Sequence, residues 1–137
     1  MSTDRTTKPS RSSSDPTLRY FTREQANRSL VLVRRIVEQI QEQYELLTRV
    51  RAADELPTAE KHLQFQSIAE RINVLLEELR DIGCELKDPR AGLVDFPAQM
   101  DGRNVWLCWK AGEPAIDHWH EWEEGFAGRR TLETDQG

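Results

Sequence analysis

Apolar residues recur at steps of three and four along the first half of the chain, as they do on one face of an α-helix. One stripe comprises Leu30, Val33, Val37, Ile40, Tyr44 and Leu47, and a second comprises Phe65, Ile68, Ile72, Leu75, Leu79 and Ile82. Thr22 and Gln25 have the spacing of a capping box ahead of the first stripe, and Phe21 occupies the staple position. The pattern predicts helices over about residues 22–53 and 59–82.

A break between the two stripes predicts a tight turn. Pro57 disfavours helix in the residue before it, Thr58 is a suitable cap for a new helix, and Gly83 can end that helix in the left-handed conformation. Helices with matching stripes and a short connection pack antiparallel, so residues 18–83 are expected to form a long helical hairpin. The apolar surface is wider than one seam, which predicts a homodimer unless the C-terminal part folds back over the excess.

The second half of the chain changes from helical to alternating spacing. Residues 93–99 alternate weakly, and residues 103–109 have the composition of a strong strand. Asp101 and Gly102 lie between them as a strong signal for a two-residue type I′ turn. The pattern predicts a β-hairpin over about residues 93–99 and 103–109.

A short helix is predicted after the hairpin, over about residues 114–124. Pro114 is favourable in a first helical turn, and Gly125 is a natural terminator. The expected fold class is therefore mainly α. A long antiparallel helical hairpin would carry a module over residues 84–132 that consists of the small β-hairpin and the short helix.

The hairpin register and the short helix bring candidate metal ligands together. The two-residue loop places Asp95 directly opposite Cys108, on the face away from the core. On a helix, His120 and Glu123 share one side, whereas His118 points elsewhere. Carboxylate, thiolate and imidazole groups suit Zn²⁺ or Fe²⁺, so Asp95, Cys108, His120 and Glu123 are candidate ligands. The alternative is a structural histidine, packed on tryptophan and hydrogen-bonded to a carboxylate.

A second set of residues is a candidate site for an anion or another ligand. The set comprises Glu85, Asp88, Glu113 and Arg129, and Arg129 would act as the anion clamp. No closed metal signature such as C-x-x-C or H-E-x-x-H occurs in the chain. Both sets therefore depend on residue types and on the predicted hairpin register.

Composition and charge narrow the function further. The net charge of -5 argues against a general affinity for nucleic acid, which requires a surplus of cations. No apolar run could span a membrane and no signal-peptide segment is present, so a cytoplasmic protein is expected. In that reducing compartment Cys84 and Cys108 are expected to be free thiols or ligands. Polar tails at 1–17 and 133–137 are expected to be disordered around a single domain over 18–132.

Several motifs along the chain resemble those of a bacterial family known only as a domain of unknown function. They are Tyr20-Phe-Thr, Gly83-Cys-Glu-Leu-Lys-Asp88, Gly92-Leu-Val-Asp-Phe-Pro97, Cys108-Trp109 followed by Gly112-Glu113, and Trp119-His120 with Glu123, Gly125-Phe126 and Gly128-Arg129. The resemblance covers most of the chain and leaves out the residues before Tyr20. It implies no particular activity, but it supports the architecture and the C-terminal location of the site.

Two functions from different classes fit the sequence. The leading hypothesis is a non-catalytic interaction or assembly protein, with the helical hairpin as scaffold. The four tryptophans would form its adhesive surface, although they could also form the core of the module. The alternative is a metal-binding or anion-binding protein with its site in the C-terminal module. An enzyme is less favoured, because no phosphate loop, nucleophile elbow or dinucleotide fingerprint occurs.

Overall fold

The structure of the protein, a computed structural model, describes residues 19–132. Within this range, two helices are followed by five strands and one short 3₁₀ turn. The helices are α1 (Arg23–Ala52) and α2 (Thr58–Ile82), the strands are β1 (Glu85–Asp88), β2 (Leu93–Met100), β3 (Arg103–Lys110), β4 (His118–Glu121) and β5 (Arg130–Thr131), and the 3₁₀ turn is Phe126–Gly128. The disorder predicted for 1–17 and 133–137 lies outside the described residues.

Both helices lie close to their predicted positions. At the start of α1 the side chains of Thr22 and Gln25 each accept a hydrogen bond from the other residue's amide, at 3.0 Å, which confirms the capping box. The predicted Thr58 cap is wrong, because extended Pro57 takes the N-cap position and Thr58 is already helical. Gly83 ends α2 with a φ of 113°, the left-handed conformation expected of it.

Strands β2 and β3 form the predicted hairpin. Asp101 and Gly102 both have positive φ, at 52° and 79°, as a type I′ turn requires. The pairing places Asp95 opposite Cys108, which confirms the predicted register. A shift of one residue would turn every apolar side chain of the hairpin to the wrong face, so the register is strongly specified.

The prediction of a mainly α fold is wrong, because the C-terminal half forms a five-stranded antiparallel sheet rather than an isolated hairpin. The strand order is β1-β2-β3-β4-β5, so every strand pairs with its neighbours along the chain. The architecture is a mixed α+β fold with a helical layer and a sheet layer. Strands β1, β4 and β5 have only four, four and two residues, which is too short for alternation to predict them.

The short helix predicted over residues 114–124 is absent, and β4 occupies the middle of that segment. The spacing of Ile116 and Trp119 fits a helix, but a short helix gains little stability from local propensity alone. The free edge of β3 offers a row of backbone hydrogen bonds, and Trp119 pairs there with Leu107. Tertiary pairing therefore overrides the local signal.

The helical hairpin packs against one face of the sheet. The main core joins both helices to alternate residues of the central strands, which are Val94, Phe96, Ala98, Val105, Leu107 and Trp109. Farther along the hairpin, Val50, Ile68 and Ile72 form a smaller cluster. The sheet thus covers part of the apolar surface of α1. None of the described helices is long and apolar enough to cross a membrane.

Candidate functional site

The face of the sheet that turns away from the helices carries a polar cluster. Asp95 of β2, Cys108 of β3 and His120 of β4 lie on this outer face, in three adjacent strands. They are 3%, 1% and 1% exposed, respectively. Because a buried polar group is costly unless it has a partner, the contacts among these residues determine what the cluster can do.

The three side chains meet at one point. One ligand atom from each, a carboxylate oxygen, the thiol sulfur and a ring nitrogen, lies within 4.8 Å of the others. The closest measured contact joins His120 Nε2 to Asp95 Oδ2, at 3.0 Å. Three of the four predicted metal ligands are thus brought together: Asp95, Cys108 and His120.

Both ring nitrogens of His120 face acceptors. Nδ1 lies 2.9 Å from the carbonyl oxygen of Glu121, and Nε2 lies 3.0 Å from Oδ2 of Asp95. A neutral imidazole has only one N–H to donate. The ring can therefore donate to one of these two acceptors as a neutral tautomer and to both as an imidazolium.

Lys87 brings a second cation to Asp95. Its ammonium nitrogen is 3.0 Å from the same Oδ2 atom and 4.0 Å from the centre of the Trp106 ring. The Lys87 side chain is 38% exposed, so it covers the carboxylate from the solvent side. Lys87 is not among the predicted site residues. It lies in a four-residue strand, and the sequence of so short a strand does not indicate which strand it will pair with.

Cys108 lies between the carboxylate of Asp95 and the guanidinium of Arg129. Nη1 of Arg129 is 3.7 Å from the sulfur. Burial and the charge of Asp95 raise the pKa of Cys108 to about 11, although Arg129 acts in the opposite direction. The thiol of the metal-free protein is therefore protonated at neutral pH.

Arg129, the predicted anion clamp, is bound to a carboxylate of the protein itself. Its guanidinium forms a two-pronged ion pair with Glu113, whose Oε1 also accepts a hydrogen bond from the amide of Lys110. Burial would raise the pKa of Glu113, but these hydrogen bonds outweigh it, and the pKa is lowered. Glu113 is therefore a carboxylate at neutral pH, and in that form it binds Arg129.

The other two predicted anion-site residues, Glu85 and Asp88, lie in β1. Asp88 Oδ1 accepts hydrogen bonds from the amides of Arg90 and Ala91, so it stabilises the turn between β1 and β2. Glu85 lies 4.0 Å from the ammonium of Lys87. Glu113 and Arg129 thus pair with each other, whereas Glu85 and Asp88 belong to two other local networks.

Strand geometry changes the roles expected of His118 and Glu123. A helix would place Glu123 beside His120 and turn His118 away, but residues two apart in a strand share a face. Glu123 is exposed beyond β4, whereas His118 lies opposite Cys108. Within residues 19–132, Nδ1 of His118 is buried without a hydrogen-bond partner. Buried nitrogens of this kind are commonly satisfied by an ordered water or ion.

The loop between β4 and β5, residues 122–129 and here named the strap, folds over the outer face. At one end Trp122 stacks on Trp106, with ring centres 4.2 Å apart and an angle of 5° between the planes. At the other end Arg129 contacts Cys108. All four tryptophans of the chain are at least partly buried, so they pack within the fold.

Fold and site together define a two-layer α+β protein with a buried acid, thiol and imidazole cluster on the outer face of its sheet. A family model described as "Uncharacterized conserved protein (DUF2203)" matches residues 19–132. The chain belongs to this family, which confirms the resemblance to a domain of unknown function. No curated protein and no solved structure gives a match.

Proposed function

We propose that this protein binds a transition metal, Zn²⁺ or Fe²⁺, through Asp95, Cys108 and His120. The observation that carries the proposal is the meeting of three buried side chains with ligand atoms within 4.8 Å of one another. Carboxylate, thiolate and imidazole donors suit these two metals. Three protein ligands leave one coordination position for water or another ligand.

Only small shifts of the three ligand atoms are needed to hold the metal. Zinc bonds of roughly 2.0–2.3 Å in a tetrahedral arrangement place the ligand atoms about 3.5 Å apart. Nε2 of His120 and Oδ2 of Asp95 lie 3.0 Å apart, so these two atoms would have to separate by roughly 0.5 Å. The sulfur of Cys108 therefore has to approach by roughly 1 Å, which a change of side-chain torsion can supply.

Two of the three ligands would be anionic around a bound metal, beside the cations Lys87 and Arg129. Asp95 and the thiolate of Cys108 supply these two negative charges. Binding of the metal would displace the thiol proton of Cys108. The unsatisfied Nδ1 of His118 adds a polar atom without a partner on the same face.

Cobalt titration of the full-length, metal-free protein tests this function. We expect one Co²⁺ per chain, with a thiolate-to-cobalt charge-transfer band, and displacement of the cobalt by Zn²⁺. The Cys108→Ser variant should lose the band, whereas Cys84→Ser, which changes a buried thiol in the main core, should keep it. His120→Ala should weaken binding by a factor of at least about 100, because each ligand contributes several kcal/mol.

Wild-type protein that takes up neither Co²⁺ nor Zn²⁺ at neutral or mildly alkaline pH would overturn this proposal, whatever the variants do. The cluster would then be a hydrogen-bonded network that serves the fold. Circular dichroism of each variant distinguishes the loss of a ligand from the loss of the fold.

The second candidate function is non-catalytic assembly through the outer surfaces of the helices. Five large hydrophobic residues remain exposed there: Val31 at 64%, Leu32 at 49%, Tyr44 at 38%, Leu63 at 65% and Val74 at 47%. These residues favour contact with a protein partner, and we propose a homodimer. We also propose a cytoplasmic location, where the free thiols of the protein stay reduced.

Light scattering of the full-length protein tests the homodimer. We expect twice the chain mass of 15.9 kDa at micromolar concentration. Leu63→Glu should weaken the dimer by a factor of about 10 or more, since a charge would replace buried apolar surface. Ala69→Glu, at an exposed position roughly 120° around α2 from Leu63, is the matched control and should leave the mass unchanged. A single species of 15.9 kDa at every concentration would rule out the dimer.

A further inference from the structure

We propose that the strap gates access to the Asp95, Cys108 and His120 cluster and that its Arg129–Glu113 ion pair is the latch. The inference rests on the proposed metal-binding function, because a buried site needs an entry path. Opening of the strap can also be detected without a metal, because it changes the reactivity of the Cys108 thiol.

The strap is anchored at both ends and locally bonded in between. Strand β4 precedes it and strand β5 follows it, so its ends are held in the sheet. The backbone hydrogen bonds described for its central residues are local: Gly128 donates to Gly125, and Arg129 donates to Phe126. A loop held in this way can lift from the sheet without breaking a strand pairing.

Side-chain contacts hold the strap against the sheet. The stacked pair of Trp122 and Trp106 holds one end, and the ion pair of Arg129 with Glu113 holds the other. Neither partner of the ion pair is fully exposed, with side-chain exposures of 13% for Arg129 and 22% for Glu113. A charge-assisted, two-pronged pair in a partly desolvated position is stronger than a surface salt bridge, so it is suited to act as a latch.

The strap contacts Cys108 of the cluster and the neighbouring Trp106, and both are buried. Trp106 is 4% exposed and Cys108 is 1% exposed, although both lie on the sheet face opposite the helices. Arg129 also donates to the sulfur of Cys108, so lifting the strap removes both the cover and this contact. Cys84 lies in the main core instead, and only more extensive unfolding exposes it.

Thiol labelling of the full-length, metal-free protein tests the gate. Iodoacetamide is applied at a fixed pH, and peptide mass spectrometry measures the modification rates of Cys84 and Cys108 separately. Glu113→Gln, which weakens the latch, should speed the labelling of Cys108 by roughly 10- to 100-fold, the factor expected for one lost charge-assisted hydrogen bond. The rate at Cys84 should stay unchanged, because the core remains closed.

Two further variants make the test specific. Trp122→Ala removes the contact at the other end of the strap and should also speed the labelling of Cys108 alone. Glu123→Gln changes an exposed residue of the strap and should leave both rates within a factor of about 2. Equal acceleration at Cys84 and Cys108 would show general unfolding and overturn the gate. A wild-type rate at Cys108 in both Glu113→Gln and Trp122→Ala would also overturn it.

Cobalt uptake distinguishes failure of the gate from failure of the metal site. If the gate is correct, Glu113→Gln loads Co²⁺ faster than wild type and reaches the same final absorption. Loading at the wild-type rate would overturn the gate and leave the metal site standing. Absence of cobalt uptake together with selective labelling of Cys108 would overturn the metal site and support the moving strap.

Discussion

Replacement of Asp95 by alanine is expected to lower the free energy of unfolding of the metal-free protein by about 3–5 kcal/mol. Asp95 is 3% exposed, and its Oδ2 accepts a hydrogen bond from Lys87 at 3.0 Å and lies 3.0 Å from Nε2 of His120. The variant leaves the Nε2 of a buried histidine without this partner. Lys87 loses less, because it is partly exposed and can turn to water. Urea denaturation followed by circular dichroism measures the effect.

Two comparisons show whether this loss arises from the buried network. Asp54→Ala removes an exposed carboxylate in the turn between the helices and should change stability by no more than about 0.5 kcal/mol. The double variant Asp95→Ala/His120→Ala should cost less than the sum of its single changes, with a coupling of roughly 0.5–3 kcal/mol. Strictly additive costs would contradict the pairing of the two side chains in solution.

A rise of pH from about 8.5 to about 10.5 is expected to lower the stability of the metal-free protein by about 3–4 kcal/mol through its two buried thiols. Burial raises the pKa of Cys84 from 9.0 to about 12, and burial together with Asp95 raises that of Cys108 to about 11. The folded state therefore keeps both protons at pH values where the unfolded chain loses them. The stability associated with these two protonated thiols is fully present below about pH 9, and it is lost as the pH rises toward 11 and 12.

Urea denaturation across this pH range, compared with Cys84→Ala/Cys108→Ala, isolates the contribution of the thiols. Lysines and tyrosines titrate in both proteins, so their effects cancel in the difference. The double variant is expected to be less stable at pH 8 but to lose less stability than wild type as the pH rises. Each single variant should show about half of this difference from wild type in pH dependence. Parallel curves for wild type and double variant would mean that the thiols are not protected from ionisation in the fold.

Part of the site could be predicted from the sequence alone. The two-residue loop at Asp101 and Gly102 sets one register, and that register places Asp95 opposite Cys108. His120 is correctly predicted as a member of the site, but from an incorrect secondary structure. Its partner was expected to be Glu123 on a helix, whereas in β4 it reaches across the sheet to Asp95.

The rest of the site depends on contacts that no local pattern encodes. Lys87 comes from the preceding strand, eight residues before Asp95, and Arg129 lies 21 residues after Cys108; the folded sheet brings these side chains together. The helix predicted for this segment turns His118 away from His120. In a strand, residues two apart share a face, so His118 lies on the same side of the sheet as His120.

The sequence by itself determined the elements whose information is local. Long runs with helical spacing specified α1 and α2, the capping box of Thr22 and Gln25 specified where α1 begins, and the turn residues specified the β2–β3 hairpin with its register. Only the tertiary structure decided the pairing of β1, β4 and β5, and with it the α+β class and the buried cluster. These strands are too short to show a period, and they form because the edges of the hairpin supply the hydrogen bonds that isolated segments lack.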